Sequence, residues 1–220
     1  MNRQLASKWL KTNVMSANPY IARHIPSSRL FNAANLRGML SSYGMVVIKP
    51  IRGGGGLGVM KISKHGGGRY SCTYMSRTVT RSSFGGIMSE INRRRGRRSY
   101  LIQRGIRLAT IAGRPIDYRV KYVKENGTWT YRSMVGRLAR RGLFVTNLCR
   151  GGVQMTAAQG IRLSLSSRLV GRKKSEMRHL TKASTELLER RFPGIGQLGY
   201  DYGIDRNGHI WILEVNTRPQ

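Results

Sequence analysis

The chain has 220 residues, 40% of them apolar, which is enough for one well-packed domain or two small lobes and too apolar for a disordered protein. Its 40 Lys and Arg against 9 Asp and Glu give a formal charge of +31, so the surface is predicted to attract polyanions, including nucleic acid, in a salt-sensitive way. No stretch approaches the roughly 18 apolar residues of a membrane span and no secretory signal opens the chain, which argues against a membrane-spanning or secreted protein.

The basic residues occur in clusters at 93–98, 137–141 and 168–174. Charge alone carries no specificity, and the chain has no zinc-finger spacing, helix-turn-helix signal or aromatic RNA-binding motif. A solvated cationic surface without a dedicated partner therefore stays open as an alternative. Cys72 and Cys149 lack a metal-ligand spacing and predict two reduced thiols in a cytoplasmic protein rather than a disulfide.

Short helices and loops are predicted for residues 1–43, with a break at Asn18-Pro19. Apolar residues at helical spacing predict a helix over 32–41. The next segment, Met45–Ile48, reads as a buried strand that ends at Lys49.

A glycine-rich loop, Gly53–Gly58, follows Lys49 and leads into a second strand over 59–62. The order strand, loop, strand differs from that of a P-loop, and a GKS/T sequence is absent. A lysine in this place can reach a phosphate, and glycines let backbone N–H groups approach one closely. A flexible linker is the alternative.

Further along, a helix is predicted over 83–92 and a short strand over Leu101–Gln103. A longer helix is predicted over 175–191, where Ser175 can serve as its N-cap and Pro193 stops it.

The dipeptide Asn207-Gly208 lies between two alternating segments and predicts a hairpin with a two-residue turn. In that register Asp201 lies directly opposite Glu214, with Cβ atoms roughly 5 Å apart. Two carboxylates so placed repel each other unless a divalent cation lies between them, and Asn216 points to the same face, so these oxygens suit Mg²⁺. Ordinary ion pairs between these acids and surface arginines are the alternative. The opposite face is predicted to be core and carries Tyr202, Ile204, Trp211 and Leu213.

Asn126-Gly127 predicts another hairpin of the same kind. With a two-residue turn, Asp117, Arg119 and Lys121 share one face, across from Arg132. So basic a face would repel itself without an anion. A polyphosphate is one candidate for that anion, and a solvated face is the alternative.

With these residues assembled, the chain resembles the ATP-grasp superfamily, most closely the YheC/YheD endospore coat-associated family, and is also similar to the RimK-like glutamate ligases. The resemblance covers about residues 8–219, and the joint order and spacing of its segments make it specific. Those segments are Lys8-Trp9, SSRLFNAANLRGMLSSYGMVVIKPIRGGGGLGV, SYLIQRGIRLATIAGRPIDYRV, FVTNLCRGG and GYDYGIDRNGHIWILEVNTRP.

The resemblance implies an α+β ATP-grasp fold, in which two α/β lobes with antiparallel sheets clamp ATP. A short N-terminal helical segment over 1–43 would precede a small glycine-loop lobe over 44–104 and a C-terminal lobe over 105–220 that carries the Mg²⁺-binding hairpin. The N-terminal lobe that precedes the ATP-binding region in most ligases is expected to be largely missing.

Roles for individual residues also follow from the resemblance. Phosphates would meet Lys49 and the glycine loop, and adenine would meet the strand around Gln103. The implied nucleotide-binding residues are Lys49, Gly53, Gly54, Gly55, Gly56, Gly58, Leu101, Ile102, Gln103 and Asp117. The implied catalytic residues are Arg119, Asn147 and Arg150. The implied magnesium ligands are Asp201, Glu214 and Asn216.

The activity implied by the resemblance is ATP-dependent ligation of an unknown carboxylate to an unknown amine through an acylphosphate. Leu57 departs from the family pattern, because a basic residue often stands at that place in the loop. This departure, the missing lobe and the charge of +31 support a second hypothesis, a non-catalytic protein on an ATP-grasp scaffold that binds nucleic acid or another polyanion. Association with the spore coat is implied by the resemblance only.

Overall fold

A computed structural model describes residues 4–217 as an α+β protein with two antiparallel sheets. The α-helices are α1 (Lys8–Ser16), α2 (Pro19–Ala22), α3 (Ala33–Tyr43), α4 (Phe84–Arg95), α5 (Ala157–Ser164) and α6 (Val170–Arg191). The strands are β1 (Ser28–Leu30), β2 (Met45–Pro50), β3 (Met60–Lys64), β4 (Tyr70–Tyr74), β5 (Arg77–Arg81), β6 (Tyr100–Arg104), β7 (Thr110–Ile111), β8 (Arg114–Glu125), β9 (Thr128–Leu138), β10 (Val153–Thr156), β11 (Gln197–Ile204) and β12 (Ile210–Asn216).

The chain divides into two compact units. The glycine-loop unit comprises residues 26–106 and 142–144, and the hairpin unit comprises the residues up to 25, residues 107–141 and those from 145 onward. The domain bounds drawn from the sequence, after residues 43 and 104, stay a prediction. Within residues 4–217, no helix combines the length and the apolar composition that crossing a bilayer requires.

In the glycine-loop unit, one sheet has the strand order β1-β6-β2-β3-β4-β5. Because side chains alternate along a strand, Ile48 and Ile102 point to one face while Lys49 and Gln103 point to the other. The first face forms the core with α3 and α4, through the buried residues Leu36, Met39, Leu40, Val46, Ile48, Met60, Ile62, Ile87, Ile91 and Ile102.

Both helices of this unit begin where the sequence predicts. Asn32 caps α3, and its Oδ1 accepts the N–H of Asn35 at 2.7 Å. Ser83 caps α4, and its Oγ accepts the N–H of Gly86 at 3.1 Å. A side-chain oxygen at the cap satisfies an N–H group that a helix end would otherwise leave unpaired, which explains these starting points.

In the hairpin unit, a second sheet has the order β10-β9-β8-β11-β12, and β7 pairs with β8. Tyr200 and Tyr202 fill the core under α6, and their hydroxyls hydrogen-bond to Thr185 and Thr181, each at 2.8 Å. Met177, Leu180 and Leu188 of α6 are buried in the same core, and Leu187 packs against it partly buried.

Helix α6 begins at Val170 rather than at Ser175, so the predicted N-cap is wrong. A turn of 3-10 helix, Ser167–Leu169, runs directly into the α-helix. Ser166 starts that turn, since its Oγ accepts the N–H of Arg168 at 3.2 Å, and Ser175 lies inside the helix. The predicted end at Arg191 is confirmed.

The first hairpin has the predicted two-residue turn, with φ of 48° at Asn126 and 81° at Gly127. Beyond it a β-bulge at Arg132 shifts the register, so Lys121 lies opposite Ser133. The predicted opposition of Lys121 and Arg132 is therefore wrong, and Arg132 forms an ion pair with Glu125 instead.

The second hairpin has a three-residue loop, so the predicted two-residue turn is wrong. The N–H of Asp205 donates to the carbonyl of His209 at 3.0 Å, which closes the strands around residues 206–208. The side chain of Asp205 explains the longer loop, because its Oδ1 accepts the N–H groups of Asn207 and His209 at 2.9 and 3.0 Å.

A β-bulge then shifts the pairing of β11 and β12 by one residue, back to the predicted register. It lies between Asp201 and Tyr202 on β11 and takes in Leu213 on β12, so Asp201 still pairs with Glu214 as predicted. The same bulge changes which β12 side chains are buried. Tyr202 and Ile204 are core as predicted, but the core residues of β12 are Ile210, Ile212 and Val215 rather than Trp211 and Leu213.

Candidate active site

One face of the hairpin-unit sheet carries a row of charged residues across three neighbouring strands. Arg119 on β8 lies opposite Asp201 on β11, and Asp201 lies opposite Glu214 on β12. The guanidinium of Arg119 binds the Asp201 carboxylate bidentately, with Nη2 to Oδ2 at 3.0 Å and Nε to Oδ1. Two parallel hydrogen bonds of this kind fix the orientation of the Asp201 carboxylate as well as compensating its charge.

A second arginine, Arg137 on β9, joins this row to Asp117. Its Nε and Nη2 donate to the two oxygens of Asp117 at 2.8 and 2.5 Å, and Nη2 also lies 2.8 Å from Oδ1 of Asp201. Two carboxylates and two guanidiniums therefore alternate on this face. The face predicted to repel itself without an anion is neutralised by the chain's own acids, so that expectation is wrong.

Because Asp117 is buried, the pKa of its carboxyl depends strongly on the neighbouring Arg137. The side chain of Asp117 is buried, and burial raises the pKa of its carboxyl against the opposing effect of Arg137, with Asp201 adding to the rise. Burial lowers the pKa of Arg137, but the Asp201 and Asp117 carboxylates outweigh it and hold that pKa above its ordinary value. Asp117 thus depends on Arg137 to stay ionised.

Helix α1 brings two lysines towards Glu214. Nζ of Lys8 lies 3.3 Å from Oε1 of Glu214. Lys11, one turn on, is 3% exposed, and its Nζ donates to the carbonyl of Leu5 at 2.7 Å. Burial lowers the pKa of Lys11 to about 8, with Glu214 opposing the shift and Lys8 adding to it.

This lowered pKa predicts a pH dependence of stability. Between pH 8 and 10.5 the unfolded chain binds more protons at Lys11 than the folded one, so the free energy of unfolding should rise with pH there, by at most about 1.4 kcal/mol per pH unit. Urea unfolding from pH 7.5 to 10 should show this rise in the parent and lose it in Lys11→Met. The exposed Lys182→Met is the control, and an equal slope in parent and Lys11→Met would contradict the assignment.

The remaining predicted residues of this unit lie on β12 and in one loop. Asn216 is two residues from Glu214 and therefore on the same face, opposite Gly199. Asn147 precedes a 3-10 turn that ends at Arg150. The loop is tied to the charged face through Thr146, whose side chain hydrogen-bonds to Asp117.

In the glycine-loop unit, Lys49 and Gln103 meet on the sheet face away from the helices. Nζ of Lys49 donates to Oε1 of Gln103 at 2.9 Å, and Nε2 of Gln103 donates to Oγ of Ser28 at 3.3 Å. The Gln103 amide is thereby held in one orientation. Leu101 points to the same sheet face as Gln103, while the Ile102 side chain is fully buried among the helices.

The loop after Lys49 has a backbone that only glycine adopts readily. Gly53, Gly55, Gly56 and Gly58 have φ of 121°, 63°, 71° and 75°. At Gly58 an added Cβ would lie 2.6 Å from the hydroxyl of Tyr100 and 3.4 Å from Nη2 of Arg98.

The Tyr100 hydroxyl has no hydrogen-bond partner within residues 4–217, although it is buried. Buried hydroxyls in folded proteins nearly always have a partner. An unsatisfied hydroxyl beside a glycine loop and an arginine is consistent with a loop that meets a polar ligand.

With this geometry established, the chain can be compared with known proteins. Residues 1–220 match the family profile described as YheC/D like ATP-grasp. The chain belongs to this family.

Two curated relatives come from Bacillus subtilis (strain 168). The endospore coat-associated protein YheD is 29% identical over 225 residues, a match that covers 99% of this chain and 49% of YheD. The endospore coat-associated protein YheC is 26% identical over 235 residues, with coverage of 100% of this chain and 61% of YheC. The YheC/D-like chain described here thus spans about half of YheD.

Solved structures share the ATP-grasp fold of this YheC/D-like chain. Carboxyaminoimidazole ribonucleotide synthase from Aspergillus clavatus, complexed with ATP, has a TM-score of 0.62 at 12% identity, covering 99% of this chain and 46% of that one. D-alanyl-alanine synthetase A from Vibrio cholerae has a TM-score of 0.56 at 15% identity, covering 93% and 53%. D-cycloserine synthetase DcsG has a TM-score of 0.58 at 11% identity, covering 96% and 62%.

The oxygen donors of Asp201, Glu214 and Asn216 are of the type that Mg²⁺ binds. The structure also shows the ion pairs of the alternative, since Asp201 is bound by Arg119 and Arg137 and Glu214 lies beside Lys8. Within residues 4–217 no three His, Cys, Asp or Glu side chains form a metal-binding cluster. Two carboxylates and the Asn216 amide suffice for Mg²⁺, which usually completes its shell with water and substrate phosphates. Oδ2 of Asp201 accepts a single hydrogen bond, from Arg119, and so keeps a second lone pair for a cation.

Sequence reasoning missed the groups that position these residues. Arg137 was noted only as part of a basic run, because the bulge at Arg132 hides its place opposite Asp117. Lys8 lies 206 positions from Glu214, so no local signal connects them. Tyr100 could have been found, since it stands two residues before the strand core at Ile102 and alternation places both on one face.

Proposed function

We propose that this chain binds Mg-ATP and uses it to join a carboxylate to an amine. The observation that carries the proposal is the row Arg119–Asp201–Glu214 on one sheet face, with Asp201 opposite Glu214 as the sequence predicts. The family is ATP-grasp, and a solved protein of the same fold was crystallised with ATP. Both points support nucleotide binding.

On the nucleotide side, Lys49 and the loop Gly53–Gly58 would receive the phosphates. Four glycines of the loop hold positive φ, and a backbone free of Cβ atoms lets N–H groups approach phosphate oxygens. Arg98 and the unsatisfied Tyr100 hydroxyl border the loop at Gly58 and supply the basic contact that Leu57 cannot. Adenine would lie against Leu101 and the fixed amide of Gln103, with Ile102 contributing backbone only.

In the hairpin unit, Asp201, Glu214 and Asn216 would hold Mg²⁺, whose charge would neutralise phosphate oxygens. Arg119 would face the transferring phosphate, and Arg137 would keep Asp117 ionised and hold Asp201 in place. Asn147 and Arg150 would contact the phosphate and the acceptor from the loop that Thr146 ties to Asp117. No residue needs to act as a covalent nucleophile, since positioning and charge neutralisation are what phosphoryl transfer requires.

The proposed reaction has two steps. A carboxylate oxygen of the substrate attacks the γ-phosphorus of ATP, the bond to the β-phosphate oxygen breaks, and an acylphosphate and ADP form. The amine nitrogen then attacks the acyl carbon, phosphate leaves with the bonding electrons, and the amine loses a proton to give an amide. The curated relatives are named endospore coat-associated, and we propose the same association for this chain.

The test is a calorimetric titration of ATP into the parent chain, with and without Mg²⁺, with GTP as the specificity control. We expect binding of ATP that strengthens with Mg²⁺ and exceeds that of GTP, because the Gln103 amide is fixed by Lys49 and Ser28. ADP release in the presence of mixed carboxylates and amines then tests ligation. A folded protein that binds neither nucleotide would refute the proposal.

A further inference from the structure

Negative charge is almost absent from the glycine-loop unit. Residues 26–106, all of which the structure describes, contain fifteen Lys and Arg and one acid, Glu90. Glu90 is 3% exposed, and its two oxygens accept hydrogen bonds from Arg81, Arg93 and Arg94 at 2.6–3.0 Å. The surface of this segment therefore exposes no carboxylate.

The arginines concentrate on the helix side of the sheet. We call this surface the helix layer, formed by α3, α4 and the turn 96–98. It lies on the sheet face opposite Lys49 and Gln103, and among its arginines Arg98 alone borders the glycine loop, at Gly58. Its arginines are Arg37 on α3, Arg93, Arg94 and Arg95 on α4, and Arg97 and Arg98 in the turn.

Stacking on aromatic rings holds two of these guanidiniums between the helices. Arg37 lies over the ring of Phe84, at the start of α4, with 4.0 Å from its Cζ to the ring centroid. Arg95, at the end of α4, lies over Phe31, just before α3, at 5.0 Å. Each contact is a cation–π pair that orients a planar donor group.

Most other exposed side chains of the helix layer are short and uncharged. The exception is Tyr43 at the end of α3, whose ring lies under Arg104 with 5.3 Å from Cζ to the ring centroid. Helices on protein surfaces usually interleave acids with Lys and Arg, since unlike charges at neighbouring positions stabilise and like charges destabilise. Here one buried acid, Glu90, is set against six arginines, so most of the like charge is uncompensated, and a bound polyanion would relieve it. The exposed residues between the arginines are Ala33, Ala34, Gly38, Ser41, Ser42, Gly85, Ser89 and Asn92.

The arginines and covered aromatic rings of this surface favour a nucleic-acid duplex over a single strand. The segments 28–48 and 82–104 contain no lysine, and arginine differs from lysine in its planar fork, which matches phosphate oxygens bidentately. Arg37 and Arg95 cover Phe84 and Phe31, so these rings cannot serve as stacking platforms for unpaired bases, which single-strand binders require. What remains is recognition of backbone phosphates on a dense, regular duplex.

We propose that the helix layer binds the phosphate backbone of duplex DNA without sequence preference. The proposal is independent of the proposed ligase activity. It requires only that the glycine-loop unit is folded.

The experiment uses the full chain and a fluorescein-labelled 20-base-pair duplex, with anisotropy measured from about 50 to 200 mM salt. The test variant is Arg37→Gln/Arg95→Gln/Arg97→Gln. The matched control, Arg162→Gln/Arg168→Gln/Arg172→Gln, removes the same charge from exposed positions of the hairpin unit. Thermal unfolding checks folding, and the same triple substitution to Lys replaces the test variant if the Gln triple unfolds.

We expect the test variant to weaken binding at least about tenfold at 100 mM salt and to lower the salt slope by about 2–3, since each lost phosphate contact removes about 0.9 from it. The control should change affinity less than about threefold. The Lys triple keeps the charge but loses the planar fork, so it should bind the duplex more weakly than the parent with a similar salt slope. Equal losses in test and control would overturn the proposal. So would tighter binding to a single strand of equal charge, or to vesicles with anionic lipid, than to the duplex.

Discussion

Replacement of Glu214 by Gln is expected to abolish the Mg²⁺-dependent part of ATP binding and to lower ADP formation by about 100-fold or more, the magnitude typical of losing one electrostatic group in an active site. Gln keeps the size of the side chain and removes its negative charge. The proposed site would then retain one carboxylate, Asp201, whose charge Arg119 and Arg137 already compensate.

Stability has to be separated from metal binding in this variant. Lys8 lies 3.3 Å from Glu214 and is 8% exposed, so Glu214→Gln removes a carboxylate from beside a buried ammonium group. The double variant Lys8→Met/Glu214→Gln removes both charges and should recover much of the stability, yet it should not recover the Mg²⁺ dependence. Glu186→Gln, an exposed position on α6, is the control. Unchanged Mg²⁺-dependent turnover in the folded double variant would refute the site.

Glu90→Gln is expected to lower the free energy of unfolding by about 1.5–3 kcal/mol, the magnitude for losing hydrogen bonds to a charged group, because the arginines left behind are 21–70% exposed and can be solvated. Three arginines converge on this carboxylate, at 2.6–3.0 Å, and each would lose its counter-charge. Urea unfolding of parent and variant measures the loss, with Glu186→Gln as the exposed control. A loss below about 1 kcal/mol would contradict the role given to Glu90.

The probe for this experiment follows from the placement of tryptophan. Trp9, Trp129 and Trp211 all belong to the hairpin unit, so their fluorescence does not report on the glycine-loop unit. Hydrogen exchange of peptides from residues 26–106 does report on it. Faster exchange in those peptides, with little change in peptides of the hairpin unit, is the expected pattern.

The Glu90 carboxylate also predicts that the free energy of unfolding falls at acid pH. Burial raises the pKa of Glu90, but hydrogen bonds and charge from Arg93 and Arg94 outweigh burial and hold the pKa below its ordinary 4.5. The unfolded chain therefore takes up the proton first as the pH falls. The contribution of Glu90 is complete above pH 4.5 and is lost as the pH falls through the lowered value. Glu90→Gln should reduce this fall.

Local steric and hydrogen-bonding preferences were readable from the sequence alone. The Asn126-Gly127 turn needs two positive φ angles, and these residues tolerate them. Asn32 and Ser83 start helices because their side chains accept orphan N–H groups within three residues. The glycine loop after Lys49 and the resemblance to the family also follow from residues and spacing.

The tertiary structure alone decided what joins distant segments. The register of Asp201 and Glu214 came out as predicted because a longer loop at Asp205 and a bulge at Leu213 cancel, and no local signal predicts that cancellation. Another bulge, at Arg132, places Arg137 opposite Asp117. Packing places Lys8 of the first helix against Glu214, near the other end of the chain, and buries Glu90 beneath three arginines. Turns and caps depend on a few neighbouring residues, whereas charge pairing and burial depend on which surfaces meet when the whole chain folds.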